Sequence, residues 1–198
     1  MSTTSTMNKY LPFVFLCSTL QLQAEPNVSI SYKFYDIYPK SFKEIEKEMN
    51  DRTPILKNGV RYKGYTAWYV KWRFKWWNDG NSCKITSVST SLDVSYTMPR
   101  IPDNFTVNPS IRKAFNNYYQ VLLKHEQGHK DSGLFAARDI EKALLGLGSF
   151  NNCKTLETAA NNKGHQVIKK YNQRDINYDK RTKHGRLQGV DINRFIPD

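Results

Sequence analysis

Histidine is scarce in this chain, with four residues in all. Cysteine is scarcer still, at three. Neither Cys83 nor Cys153 has another cysteine or a histidine at ligand spacing, which argues against a thiolate metal site. Acid is short as well: 18 Asp and Glu stand against 30 Lys and Arg, a net charge of +12. Such a balance suits anionic surroundings. The basic residues are scattered, and no RNA- or DNA-binding motif accompanies them. Nucleic acid is therefore not an expected partner, whereas an anionic cell-envelope surface is compatible with the charge. Repeats and low-complexity linkers are also missing, which excludes a repeat architecture.

Long hydrophobic runs are lacking too. The run from Tyr10 to Leu20 is too short to cross a membrane. Lys9 precedes it and Leu22-Gln23-Ala24 follows as a small-residue cleavage site. Residues 1–24 therefore read as a signal peptide, with a mature single domain over 25–198 that is secreted or periplasmic. Cys17 leaves with the signal, and Leu16 before it is bulky where a lipidated cysteine wants a small neighbour. Cys83 and Cys153 remain as an even pair in an exported chain, which reads as a disulfide. Closing a loop of about 70 residues, it would contribute about 4 kcal/mol in the chain-entropy model.

Against these absences stand five residues: His125-Glu126-Gln127-Gly128-His129, an H-E-x-x-H motif. On a helix, positions i and i+4 share a face, so His125 and His129 can aim both imidazoles at one metal ion. Glu126 sits next along the helix, where it can reach a metal-bound water. That is the chemistry of a zinc hydrolase with Glu126 as general base. At this composition a chance match is on the order of one in a few hundred.

The flanking patterns predict an α+β fold: a twisted, mainly antiparallel sheet packed on a long motif-bearing helix, zincin-like in arrangement. Ser29 to Tyr38 alternates as a strand. Ser41-Phe42-Lys43-Glu44 is a capping box opening a short helix that ends near Asn50. Thr66 to Trp76 alternates tryptophan with basic residues, and Val88 to Met98 alternates apolar residues with Ser and Thr; Asp79-Gly80-Asn81 joins the two as a hairpin. Asn108-Pro109 opens a helical pattern that runs to Leu145, with a kink or break expected near Lys130–Gly133. The stretch from Asn151 is polar and weakly patterned, disordered on composition alone unless something anchors it.

A catalytic zinc needs a third protein ligand. The metzincin pattern is not met, because Ser132 and Phe135 stand where its glycine and third histidine belong. His184 is favoured, then a carboxylate from Asp139, Glu141 or Glu157, and His165 last. His184 sits in Tyr178-Asp179-Lys180-Arg181-Thr182-Lys183-His184-Gly185, followed by Gln188-Gly189. With Gly64-Tyr65-Thr66-Ala67-Trp68, Cys83 before a strand ending at Pro99, and the H-E-x-x-H helix, this ending resembles a bacterial domain family of unknown function described as predicted secreted zinc-dependent proteases. The resemblance covers essentially the whole mature chain and implies a secreted or periplasmic metalloprotease acting on a peptide or protein substrate. Read physically, Gly185 lets the backbone turn and present His184, Asp179 orients a ligand histidine, and Tyr178 donates to the oxyanion.

The expected activity is thus peptide-bond hydrolysis with zinc held by His125, His129 and His184, Glu126 as base and Tyr178 as helper. Two rivals fit the same residues: a zinc amidase acting on peptidoglycan peptides, and a non-catalytic secreted module that keeps zinc for stability. The sequence leaves oligomeric state open.

Overall fold

The computed structural model describes residues 25–197, so the segment read as a signal peptide lies outside the described residues. The chain folds as α+β. Strand β1 (Asn27–Asp36) leads to helix α1 (Phe42–Arg52) and a small hairpin of β2 (Leu56–Lys57) and β3 (Val60–Arg61). Two long strands follow, β4 (Tyr65–Asn78) and β5 (Cys83–Arg100), then helices α2 (Pro109–Leu145) and α3 (Cys153–Thr182) and two short 3-10 turns. Ser41 precedes α1 but its side chain makes no cap bond. The Glu44 carboxylate accepts instead from the Lys40 amide at 2.7 Å.

The main sheet has the order β1-β5-β4. β4 and β5 pair antiparallel around a turn in which Asp79 Oδ1 accepts from the Asn81 and Ser82 amides and Gly80 adopts φ +91°. β1, however, runs parallel to β5, with Asn27 opposite Ser91 and Asp36 opposite Arg100. The sheet is therefore mixed, where the alternation predicted a mainly antiparallel one. The reason is connectivity. α1, the small hairpin and β4 all intervene between β1 and β5, and a connection of that length can return the chain in the same direction.

One sheet face carries the core. Leu92, Val94, Tyr96 and Met98 of β5 are buried, while the alternating Ser87, Ser89 and Lys84 are exposed. Trp68 and Trp72 of β4 face the same side and pack on the helices, as their alternation suggests. α2 crosses this face and is continuous for 37 residues. The helix does not break at its glycines, and tertiary packing occupies the space that each one leaves. A Cβ on Gly133 would meet Leu92 Cδ1 at 2.8 Å and Trp68 Cγ at 3.0 Å, and one on Gly128 would strike the Tyr178 ring. The small residues cost helix propensity but let the sheet and α3 approach closely.

The polar stretch from Asn151 is mostly helix. Asn152 caps α3 by accepting from the Thr155 amide at 2.8 Å. α3 then runs back along α2, since Lys170 pairs with Asp139 and Asp179 reaches His125 and His129. Its buried side is a thin stripe: Leu156, Ala160, Gly164, Val167, Tyr171 and Thr182. The intervals are three and four residues until Tyr171, so they follow one helical face. Trp72 lies over Gly164 and donates from Nε1 to Asn161 Oδ1 at 3.1 Å. Cys83 and Cys153 form a disulfide, with Cα atoms 5.2 Å apart, joining the start of β5 to the start of α3.

Candidate metal centre

The middle of α2 and the last two turns of α3 face each other beneath the start of β4. His125, Glu126 and His129 lie on the buried side of α2. Beyond Tyr171, the next residues along the α3 stripe are Asp175 and Asp179, one turn apart. Carboxylates thus take over where apolar side chains stop, and they meet the two histidines. Ligand atoms of His125, His129 and Asp179 all lie within 4.8 Å of one another. Asp179 Oδ1 stands 3.1 Å from His129 Nε2 and 3.3 Å from His125 Nε2.

The outer nitrogens are also engaged. His125 Nδ1 is 2.8 Å from Gln188 Oε1, and His129 Nδ1 is 3.4 Å from Asp175 Oδ1. The other oxygen of Asp175 accepts from Trp68 Nε1 at 2.6 Å. The Gln188 acceptor holds His125 Nδ1 as the N–H, which leaves its Nε2 directed at Asp179. His129 Nδ1 faces the buried Asp175 Oδ1, an oxygen with no hydrogen-bond partner among the described residues, and its Nε2 likewise points at Asp179. Two imidazole nitrogens and one carboxylate oxygen, converging and held from behind, fit a divalent metal ion with an open coordination position.

The same contacts set the charge of the metal-free cluster. Burial pulls the His129 pKa down, but the Asp175 and Asp179 carboxylates outweigh it and hold the imidazolium up to about 10. For Asp179, burial raises the value, and the two adjacent imidazoles, His125 and His129, override it and hold the carboxyl well below the usual range. Without metal, the His129 imidazolium and the Asp179 carboxylate thus stabilise each other as a compact ion pair.

Glu126 is 4 % exposed. Thr66 Oγ1 donates to its Oε2 at 2.6 Å, and Gly64 leaves room for it: a Cβ there would meet Glu126 Oε1 at 2.7 Å. Burial pushes the Glu126 carboxyl up, and the Thr66 bond partly offsets that. Glu126 shares a cavity of about 730 Å³ with His125, His129, Asp175, Asp179 and His184.

The remaining sequence candidates fall elsewhere or one step out. His184 Nδ1 lies 3.5 Å from Asp179 Oδ2, beside the cluster but outside it. Lys183 and His184 both take left-handed backbone angles (φ 51° and 52°) that end α3. The His184 ring consequently leaves the helix face and rests 5.1 Å from the Tyr62 ring, half exposed. Gly185 (φ +80°) packs against the His125 ring, where a Cβ would come within 2.9 Å of Cγ. The Tyr178 hydroxyl contacts the His125 carbonyl and Gln188, each at 3.2 Å. Its ring stacks on His125 at 5.0 Å and meets His129 edge-on at the same distance. Asp139 bonds Lys170 and Tyr171, Glu157 bonds Lys154, and His165 packs on Trp72. Glu141 is buried on α2 outside the cluster.

Four residues carry more of the site than their sequence context suggests. Thr66 and Gln188 stand in the quoted motifs without an assigned role, Asp179 is assigned only the task of orienting, and Asp175 is missed. The available signal for Asp175 is its spacing, one helical turn before Asp179. Compared with curated proteins and with solved structures, the chain matches none. A family model does match, over residues 32–185, and so takes in β4, the H-E-x-x-H segment and Asp179 together. The chain belongs to that family, described as bacterial protein of unknown function and designated DUF922.

Proposed function

We propose that the protein is an exported zinc-dependent peptidase whose metal is held by His125, His129 and Asp179. The observation that carries the reading is Glu126. It is a buried carboxylate, fixed by Thr66 and lining the same cavity as the His-His-Asp cluster. Two histidines and a carboxylate also suit iron(II). A buried carboxylate poised beside the ligands is an acid–base group, which hydrolysis needs and which favours zinc.

A bound zinc ion would supply a water of pKa about 7 and a positive charge beside the scissile carbonyl. Glu126 takes the proton of the attacking water and delivers it to the leaving amine. The burial that raises its pKa suits it to both halves of that transfer. Tyr178 backs both imidazoles rather than meeting substrate, so its role is positioning. His184, on the cavity wall beside Asp179, is the side chain we assign to the oxyanion. The Cys83–Cys153 disulfide supports an oxidising location, secreted or periplasmic. Among the described residues no helix is long and apolar enough to cross a membrane.

The test is Glu126→Gln, assayed for metal content and for cleavage of a mixed peptide library. The variant should keep one zinc per chain and lose cleavage by at least about a hundredfold, the scale of general-base contributions. Loss of the metal would make Glu126 a ligand, and retained cleavage would remove it from the chemistry.

A further inference from the structure

We propose that the cleft is built for carboxylate-rich peptides. This rests on the peptidase reading and adds its substrate class. Besides the metal centre, the cavity wall carries the cations Lys57, Arg61, Lys63, Lys183 and Arg186. Lys63 is paired with Glu46 at 3.2 Å. The other four are exposed, and none has an acidic partner within ion-pair distance among the described residues.

They come from two segments. Lys57 and Arg61 come from the β2–β3 hairpin, and Lys183 and Arg186 from the turn that ends α3. The two segments meet where the Tyr62 and His184 rings lie 5.1 Å apart. Arg61 and Lys183 are the chain neighbours of those two rings. Lys57 is held in place with Nζ 3.5 Å above the Tyr65 ring, and Arg61 is held by one bond to the Thr53 carbonyl.

Little acid opposes them. Outside the catalytic group, the acidic residues on the wall are Glu46, already paired, and Asp191, whose carboxylate accepts from the Asn193 amide and side chain. A carboxylate-rich substrate would meet cations from both segments, whereas a basic peptide would be repelled by them. The four groups are exposed, so they act through solvent and lose reach once the Debye length falls below about 8–10 Å.

The experiment has a binding arm and a cleavage arm. Zinc-loaded Glu126→Gln protein is titrated into fluorescent decapeptides rich in Asp and Glu, and into amide-matched neutral and Lys-rich versions. Zinc-loaded wild type is assayed for cleavage of the same three peptides and of purified peptidoglycan stem peptides. The acidic peptide should bind about tenfold or more tightly than the neutral one at low salt. That preference should disappear at 0.5 M NaCl and in a Lys57→Glu/Arg61→Glu/Lys183→Glu/Arg186→Glu variant that still holds zinc. Cleavage of the stem peptides but not of the Asp/Glu decapeptide would place the carboxylates on cell-wall peptides, and the converse would place them on proteins. Equal binding of acidic and neutral peptides, or an unchanged preference in the variant, would overturn the proposal. Selective binding of acidic peptides with no cleavage of any would sustain it and reject the peptidase reading instead.

Discussion

The Gln188 side-chain oxygen lies 2.8 Å from His125 Nδ1, across 63 residues of chain. The contact is part of a closed ring. His125 Nδ1–H donates to Gln188, the Gln188 amide nitrogen donates to the Tyr178 hydroxyl at 3.1 Å, and that hydroxyl donates to the His125 carbonyl at 3.2 Å. The last motif of the chain thereby sets the tautomer of the first histidine of the cluster.

Replacing Gln188 by Leu should therefore weaken zinc binding by about 10–100-fold while leaving the fold intact, as loss of an orienting partner usually does. Gln188→Glu, which keeps an acceptor for Nδ1, should retain most of the affinity. Competition titration against a chromogenic chelator measures both. Equal affinity in wild type and Gln188→Leu would show that Gln188 does not orient the ring.

Metal capture should expel a proton. In the metal-free protein His129 is held as imidazolium, its pKa raised to about 10, and a metal ligand must be neutral. Affinity should thus rise by about tenfold per pH unit between about pH 6 and 9. Calorimetry in buffers of differing ionisation heat would read about one proton released per zinc; zero would contradict the ion cluster. The same shift has a stability sign. Because the folded value lies above the ordinary 6.5, the His129 contribution to the metal-free protein is fully present below about pH 6.5 and lost as pH rises through about 10. Asp179 works oppositely: its depressed value gives a contribution present above the ordinary 3.8 and lost as pH falls below it.

Thr66→Val should slow turnover without touching metal content. It removes the 2.6 Å bond to Glu126 Oε2 while keeping the side-chain volume. The freed carboxylate is buried with one partner fewer, so its pKa should rise and its orientation loosen. We expect kcat to drop by about tenfold and the acid limb of the pH–rate profile to move upward. An unmoved acid limb would mean that Thr66 serves only packing.

Mapping of unreduced peptides should find Cys83 joined to Cys153. Reducing the bond should cost about 2–5 kcal/mol and expose the start of α3 to protease before it exposes α2. Chelation should loosen the other end, near Asp175 and Asp179. If reduction left α3 as resistant as before, the disulfide would not be what anchors it.

Much of this fold is legible in the sequence, for reasons that can be named. β4 and β5 alternate cleanly because one sheet face meets helices and the other meets water. α2 shows its period because it buries one continuous side. α3 is hidden because its buried stripe mixes Ala160, Gly164 and Thr182 with few large apolar residues, so its hydrophobic period is weak. The parallel pairing of β1 is hidden because alternation reports faces and not direction. At the site, His125, Glu126 and His129 are legible from spacing alone. That Asp179 rather than His184 lies within the two-histidine cluster is not legible, because the left-handed turn at Lys183 and His184 has no signal in residue type.

The parallel alignment of β1 with β5 also bears on the expected order of assembly. The two strands are separated by α1, the small hairpin and β4, and their partners lie 64 positions apart, as in Asp36 and Arg100. Contacts of that separation form late, after loop-closure entropy has been met. The neighbouring β4–β5 hairpin is local and can form first, giving β1 an edge to join. Until then Val28, Ile30, Tyr32 and Phe34 belong to an unpaired strand, and even in the finished molecule each remains at least 40 % exposed. On these grounds β1 should join the sheet after the β4–β5 hairpin has formed, although it precedes that hairpin in the chain.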